Sequence, residues 1–295
     1  MKNVIRTICY VFVAMTALCF NVCNVKKVIL PAPLIDFECK PIDGEVMIKN
    51  YSGTEKEVCV PQSYHSSAFP ITMVGERAFY DNDILTYVVL QNGIKSIGSQ
   101  AFCNCDNLEL IEIPESVTEI KGFAFAGTPW YEKQLEKSGE VIINNIFVRA
   151  ATDVSEVTIP EEITTIAEFS FGECKKLKKI TLPDSVTQIG MFAFASCEGL
   201  EEVVLSKNIT TLDDGVFGGC VSLEKISIPE GVLSIGDNAF LGCINLKQIE
   251  IPESVTSIGT DALLAGLDEM VLYVKENSYA LQYAETNGLK YEIQK

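Results

Sequence analysis

The chain repeats itself every 23 residues, and this limits its fold more than any other feature. Ile97, Ile120, Ile166, Ile189, Leu212, Ile235 and Ile258 share one slot, with Val74 before them. Successive members stand 23 apart except Ile120 and Ile166, which stand 46 apart, so Ile143 is expected to hold the slot of an atypical rung. A fixed period of this length points to stacked units, each too small to bury its own apolar face.

The unit reads I-G-x-x-A-F-x-x-C-x-x-L-x-x-I-x-I-P-x-x-V-T-x, most cleanly from Ile235. In Leu246–Pro252 the apolar residues end in strict alternation, which predicts a strand with Ile249 and Ile251 inward and Gln248 and Glu250 in solvent. "IGDNAF" predicts a tight turn in which Gly236 allows a close approach and Ala239 and Phe240 drop onto the core. The following "SVTSI" is expected to carry the chain back across the outer face. Twenty-three residues are too few for a helix pair and too many for a hexapeptide β-helix turn. They fall in the leucine-rich-repeat range.

On these residues the chain resembles the BspA-type leucine-rich-repeat proteins, with their "LxxIxIPxxVTxIGxxAFxxC" units, from about Val74 to Val274. The resemblance implies a right-handed solenoid or horseshoe of parallel β-strands with short helical turns. Residues 31–73 then read as an N-terminal cap, 74–274 as the repeats and 275–295 as a C-terminal cap. "DGEVMIKNYSG" is expected to form two strands around a turn. Ser278 is expected to start a short helix that Asn287-Gly288 ends, before Leu289–Ile293 closes the stack.

Thr128–Val148 departs from the unit. "VIINNIFV" predicts a hairpin turning at Asn144-Asn145. Trp130 and Tyr131 stand just before it. Two readings stay open: a structural variant of the rung, or a projecting element with both aromatics as anchors.

Residues 1–30 read as a targeting segment. Lys2 and Arg6 precede the apolar run Ile8–Phe20, which suits a cleaved secretory signal or, left uncleaved, an anchor. The rest is expected to be exported, touching a membrane only through that segment.

Cys105, Cys174, Cys197, Cys220 and Cys243 share one slot, which small residues fill elsewhere, Thr128 and Ala151 among them. A catalytic thiol would occur once, so the ladder is read as buried free thiols. Cys39 and Cys59 flank the expected cap hairpin, and a disulfide between them is left open. No cysteine or histidine pair has the spacing of a metal site, and no cofactor motif is present. His65, the sole histidine, has no nucleophile motif near it and is expected in a solvated loop.

These readings leave a surface. Its outward positions are Tyr87, Val89, Leu110, Glu112, Glu156, Thr158, Lys179, Thr181, Glu202, Val204, Lys225, Ser227, Gln248, Glu250, Glu269, Val271 and Tyr273. About nine rungs at ~4.8 Å would give one strip roughly 40 Å long. The formal net charge of −17 disfavours nucleic acid and anionic lipid as partners. The expected function is non-enzymatic: a secreted or surface protein whose strip contacts a protein ligand, with adhesion implied by the resemblance. The alternative is a carbohydrate-binding or envelope-structural module working through Trp130 and Tyr131.

Overall fold

The structure is a computed structural model that describes residues 29–64, 69–264 and 270–294. The segment Ile8–Phe20, its flanking basic residues, His65 and Glu269 lie outside the described residues.

Each regular rung contributes two strands, and the copies stack into two parallel ladders. The first ladder is built from "L-x-x-I-x-I" and contains Glu57–Cys59, Tyr87–Val89 and Leu110–Glu112, then Lys179–Thr181 and Glu202–Val204. A last sheet adds Lys225–Ser227, Gln248–Glu250, Val271–Lys275 and Lys290–Gln294. The second ladder runs through the pairs Ser96–Ile97, Glu119–Ile120, Thr165–Ile166, Gln188–Ile189, Thr211–Leu212, Ser234–Ile235 and Ser257–Ile258. It was expected only as a return path. Each of these seven strands is two residues long, too short for a period-two pattern to show.

Register is fixed at one period: Ile226 pairs with Ile249 and Ile249 with Leu272. A slip of one residue would turn every inward aliphatic to solvent. The turn between ladders packs as tightly as the sequence suggests. A Cβ on Gly236 would lie 2.6 Å from the Asp214 nitrogen of the preceding rung. The phenylalanines of "A-F" are fully buried and stack from rung to rung, with ring centroids 5.0 Å apart for Phe171–Phe194 and 5.3 Å for Phe194–Phe217. Three residues into each turn the backbone is left-handed. Gln100, Asn238 and Asp261 stand there at φ 54°, 57° and 54°, and Phe123, Phe169 and Phe192 at 59°, 56° and 57°.

The irregular rung is more than a hairpin. Pro129–Ser138 forms helix α1, which takes the position one period after Leu110–Glu112. Thr128 caps it, accepting from the Tyr131 N–H at 3.2 Å, and Gly139 ends it in a left-handed conformation. Glu140–Ile143 and Ile146–Ala150 then form the expected hairpin around Asn144-Asn145. Ile143 does not hold the opening slot, because it pairs with Ile146 across the turn. Phe147 holds it instead, paired with Ile166 and stacked on the Phe171 ring at 4.7 Å. The buried core divides here into one cluster that ends with Val148 and Ala167 and another starting at Phe147.

At the N-terminal end Phe37–Ile42 and Glu45–Tyr51 pair antiparallel. Their turn is Asp43-Gly44, so "DGEVMIKNYSG" supplies one strand of this hairpin and the upstream residues supply the other. At the far end Ser278 caps helix α2, Tyr279–Asn287, and Gly288 closes it with φ 68°. Lys290–Gln294 adds a parallel strand on Val271–Lys275.

Candidate functional site

The centre of each first-ladder strand points inward: Val88, Ile111, Ile180, Ile226, Ile249 and Leu272 are buried. The residues on either side must therefore face outward. Lys179, Glu202, Lys225, Gln248 and Glu250 are exposed, as is Leu110 at 47%. Tyr87, Val89, Glu112 and Tyr273 are half-buried.

Register makes each outward residue the neighbour of its copy one rung on, and opposite charges meet there. Lys179 lies 2.7 Å from Glu202, Lys178 2.6 Å from Glu201 and Lys175 2.7 Å from Glu198. Ser227 donates to Glu250 at 2.8 Å. The Tyr87 hydroxyl donates to the Glu112 carboxylate, which pushes its pKa up to about 12. The exposed ion pairs are screened by solvent, so they set the pattern of the face more than its stability.

The strip is not continuous. Helix α1 interrupts the first ladder between Leu110–Glu112 and the next rung, because "TPWYEKQLEKSG" replaces its strand. Glu156 and Thr158 are exposed but lie on a stretch outside any strand. The outward residues thus form two fields, one from Tyr87 to Glu112 and one from Glu156 onward.

Trp130 and Tyr131 do not project. Tyr131 is 8% exposed, and burial raises the pKa of its hydroxyl. Trp130 is half-buried, its ring edge-on to Phe125 at 5.2 Å. The first turn of α1 faces the core, which turns both rings inward.

The five ladder cysteines are fully buried and unbonded. Each thiol is turned to a carbonyl of the rung before. Cys105 donates to Phe79 at 3.0 Å, Cys197 to Phe171 at 3.0 Å, Cys220 to Phe194 at 3.2 Å and Cys243 to Phe217 at 3.1 Å. Cys174 reaches the Ala151 carbonyl at 3.6 Å. Burial pushes three of the thiols up, to about 12 for Cys105 and Cys197 and about 11 for Cys174. Thiolate chemistry at these three is thereby suppressed.

Cys39 and Cys59 are free as well. Cys39 pairs with Ile48 in the hairpin, whereas Cys59 lies in the other ladder beside Val89 and accepts from the Gln91 amide at 2.9 Å. They do not face each other across the hairpin, as the sequence allowed. Among the described residues no group of three metal-ligating side chains assembles, and no helix is long and apolar enough to cross a membrane.

The geometry defines a leucine-rich-repeat solenoid. The family model for the BspA type leucine rich repeat region matches six copies over residues 72–151 and 140–265, and the chain belongs to that family. No curated relative matches. Among solved structures, the chain is similar to a leucine rich cell surface protein of Faecalibacterium prausnitzii, at 20% identity over 91% of this chain and 100% of that one, TM-score 0.47. A leucine-rich repeat protein of Bacteroides ovatus is 24% identical over 87% of this chain and 65% of its own, TM-score 0.41. The pneumococcal vaccine antigen PcpA is 17% identical over 81% and 79%, TM-score 0.48.

Proposed function

We propose that the chain is a non-enzymatic, exported binding protein whose first-ladder face contacts a protein partner, in an adhesive role at the cell surface. The observation that carries this is the register of the outward residues. Lys179 and Glu202, Lys225 and Gln248, and Glu250 and Tyr273 stand directly opposite one another on hydrogen-bonded strands. A face so fixed has little conformational entropy to lose when a partner docks. Extended faces of this kind serve repeat proteins as binding surfaces. The same reading makes residues 31–73 and 275–295 caps and residues 1–30 an export signal or anchor.

The test is binding of the purified chain to protein and glycan arrays, together with fractionation of the producing cell. Protein ligands should be bound, and Lys225→Glu with Gln248→Lys should weaken them while Trp130→Ala should not. Binding of glycans alone, lost with Trp130→Ala, would overturn the reading in favour of a carbohydrate-binding module.

A further inference from the structure

Where the first ladder resumes after the irregular rung, a step is left unsewn, as is the later one between Glu202–Val204 and Lys225–Ser227. At the ordinary steps the residue after each strand donates to the next rung: Val60 to Val89 at 2.9 Å, Leu90 to Glu112 at 2.9 Å, Leu182 to Val204 at 2.9 Å and Ile228 to Glu250 at 3.0 Å. The counterpart at this step would run from Ile159 to Thr181, and it is not made. Among the described residues, the backbone contact between the two stretches is a single long one, Lys178 N–H to Ser155 O at 3.4 Å. Residues 156–158 are accordingly not a strand, and Lys179–Thr181 is the edge of its sheet. A cleft of about 410 Å³ opens between them, lined by Glu156, Val157, Thr158, Glu161, Thr181 and Pro183 among others.

An unpartnered strand edge is matched by another extended backbone, since only that offers N–H and C=O groups at the strand spacing. The charge of the cleft narrows the choice. Its one ammonium, on Lys179, is held 2.7 Å from Glu202. The carboxylates of Glu156 and Glu161 enter no ion pair among the described residues.

We infer that this cleft takes an extended peptide segment of a protein partner. The segment pairs its backbone with Thr181 and sets a Lys or Arg side chain against Glu156 and Glu161. Its apolar side chains lie over Val157 and Pro183. This rests on the protein-binding reading above and adds the class of segment recognised and its place.

The probe is an array of random octapeptides, followed by fluorescence anisotropy on the strongest binders. Bound sequences should be enriched in Lys and Arg over Asp and Glu. The double variant Glu156→Lys, Glu161→Lys should weaken them by about tenfold or more. N-methylation of alternate peptide nitrogens, which removes the strand donors without touching the protein, should do the same. Both glutamates are exposed, so the variant is expected to keep the parent's melting temperature. An array without basic enrichment, or binding that survives both changes, overturns the inference. If whole protein partners still bind the double variant at parental affinity, the cleft proposal fails while the broader reading stands. If no protein or peptide binds the parent chain, both fail.

Discussion

The cysteine slot shows how a residue gains its meaning from its copies. At Phe171, Phe194 and Phe217 one carbonyl accepts twice. Phe194 receives the Cys197 N–H of its own rung at 3.2 Å and the Cys220 thiol of the next at 3.2 Å. Phe217 receives Cys220 N–H and the Cys243 thiol in the same way, both at 3.1 Å. The slot therefore wants a side chain that is small, apolar in bulk and able to donate weakly. Where Thr128 fills it, the hydroxyl donates to the Phe125 carbonyl at 2.9 Å. The raised thiol pKa values have a consequence for stability. The folded thiols of Cys105, Cys174 and Cys197 stay protonated to about 12, 11 and 12, while unfolded thiols ionise near the ordinary value of 9.0. Between those values the unfolded chain binds fewer protons, so stability present below pH ~9 is lost as pH rises toward 11–12. Urea midpoints measured from pH 8 to 11 should fall, and should fall less steeply with those three cysteines replaced by alanine.

At the scale of the element, helix α1 replaces a strand, and Thr128 joins its first turn to the core of the same rung. Its Oγ1 accepts from Tyr131 at the start of the helix and donates to Phe125 in the core. Thr128→Ala removes both bonds at a fully buried position and should cost about 1–2 kcal/mol by denaturant unfolding. A loss under half a kilocalorie would contradict the double role. The elements that could be read in the sequence were those whose signal is local. The alternation around Ile249, the two-residue turn at Asn144-Asn145 and the cap at Ser278 all stand in the structure as expected. Helix α1 was signalled just as locally, by Thr128-Pro129 at its start and Gly139 at its end. The 23-residue period, which places a rung there, hides that signal. The partners of Cys59, and the carbonyls behind the thiols, come from positions some 26–32 residues away. No local pattern announces them. The open step at Thr181 was hidden for a similar reason. "VSEVTIP" carries the strand pattern well, and nothing within it signals that residues 156–158 stay outside any strand.

Over the whole molecule, the irregular rung is a seam between two half-stacks. The buried phenylalanines run as one column from Phe79 to Phe125 and resume from Phe147 to Phe240. Side chains bridge the gap. Glu168 accepts from the Gly122 N–H at 3.0 Å and lies 3.4 Å from Lys121, and the rings of Phe123 and Phe169 meet at 4.8 Å. In a solenoid, cooperativity passes only between neighbours. Glu168→Ala should therefore separate unfolding into two phases, with hydrogen exchange lost first in residues flanking the seam. The central claim is that every regular rung is an equivalent unit locked in a 23-residue register. The most direct test is to delete one. Removal of residues 213–235 joins Leu212 to Gly236 and preserves every slot, whereas removal of residues 213–224 displaces them all. The first variant should unfold cooperatively, with a compact scattering profile shortened by about 5 Å, one rung spacing. The second should lose its cooperative transition. Equal tolerance of the two deletions, or equal collapse, would contradict the account.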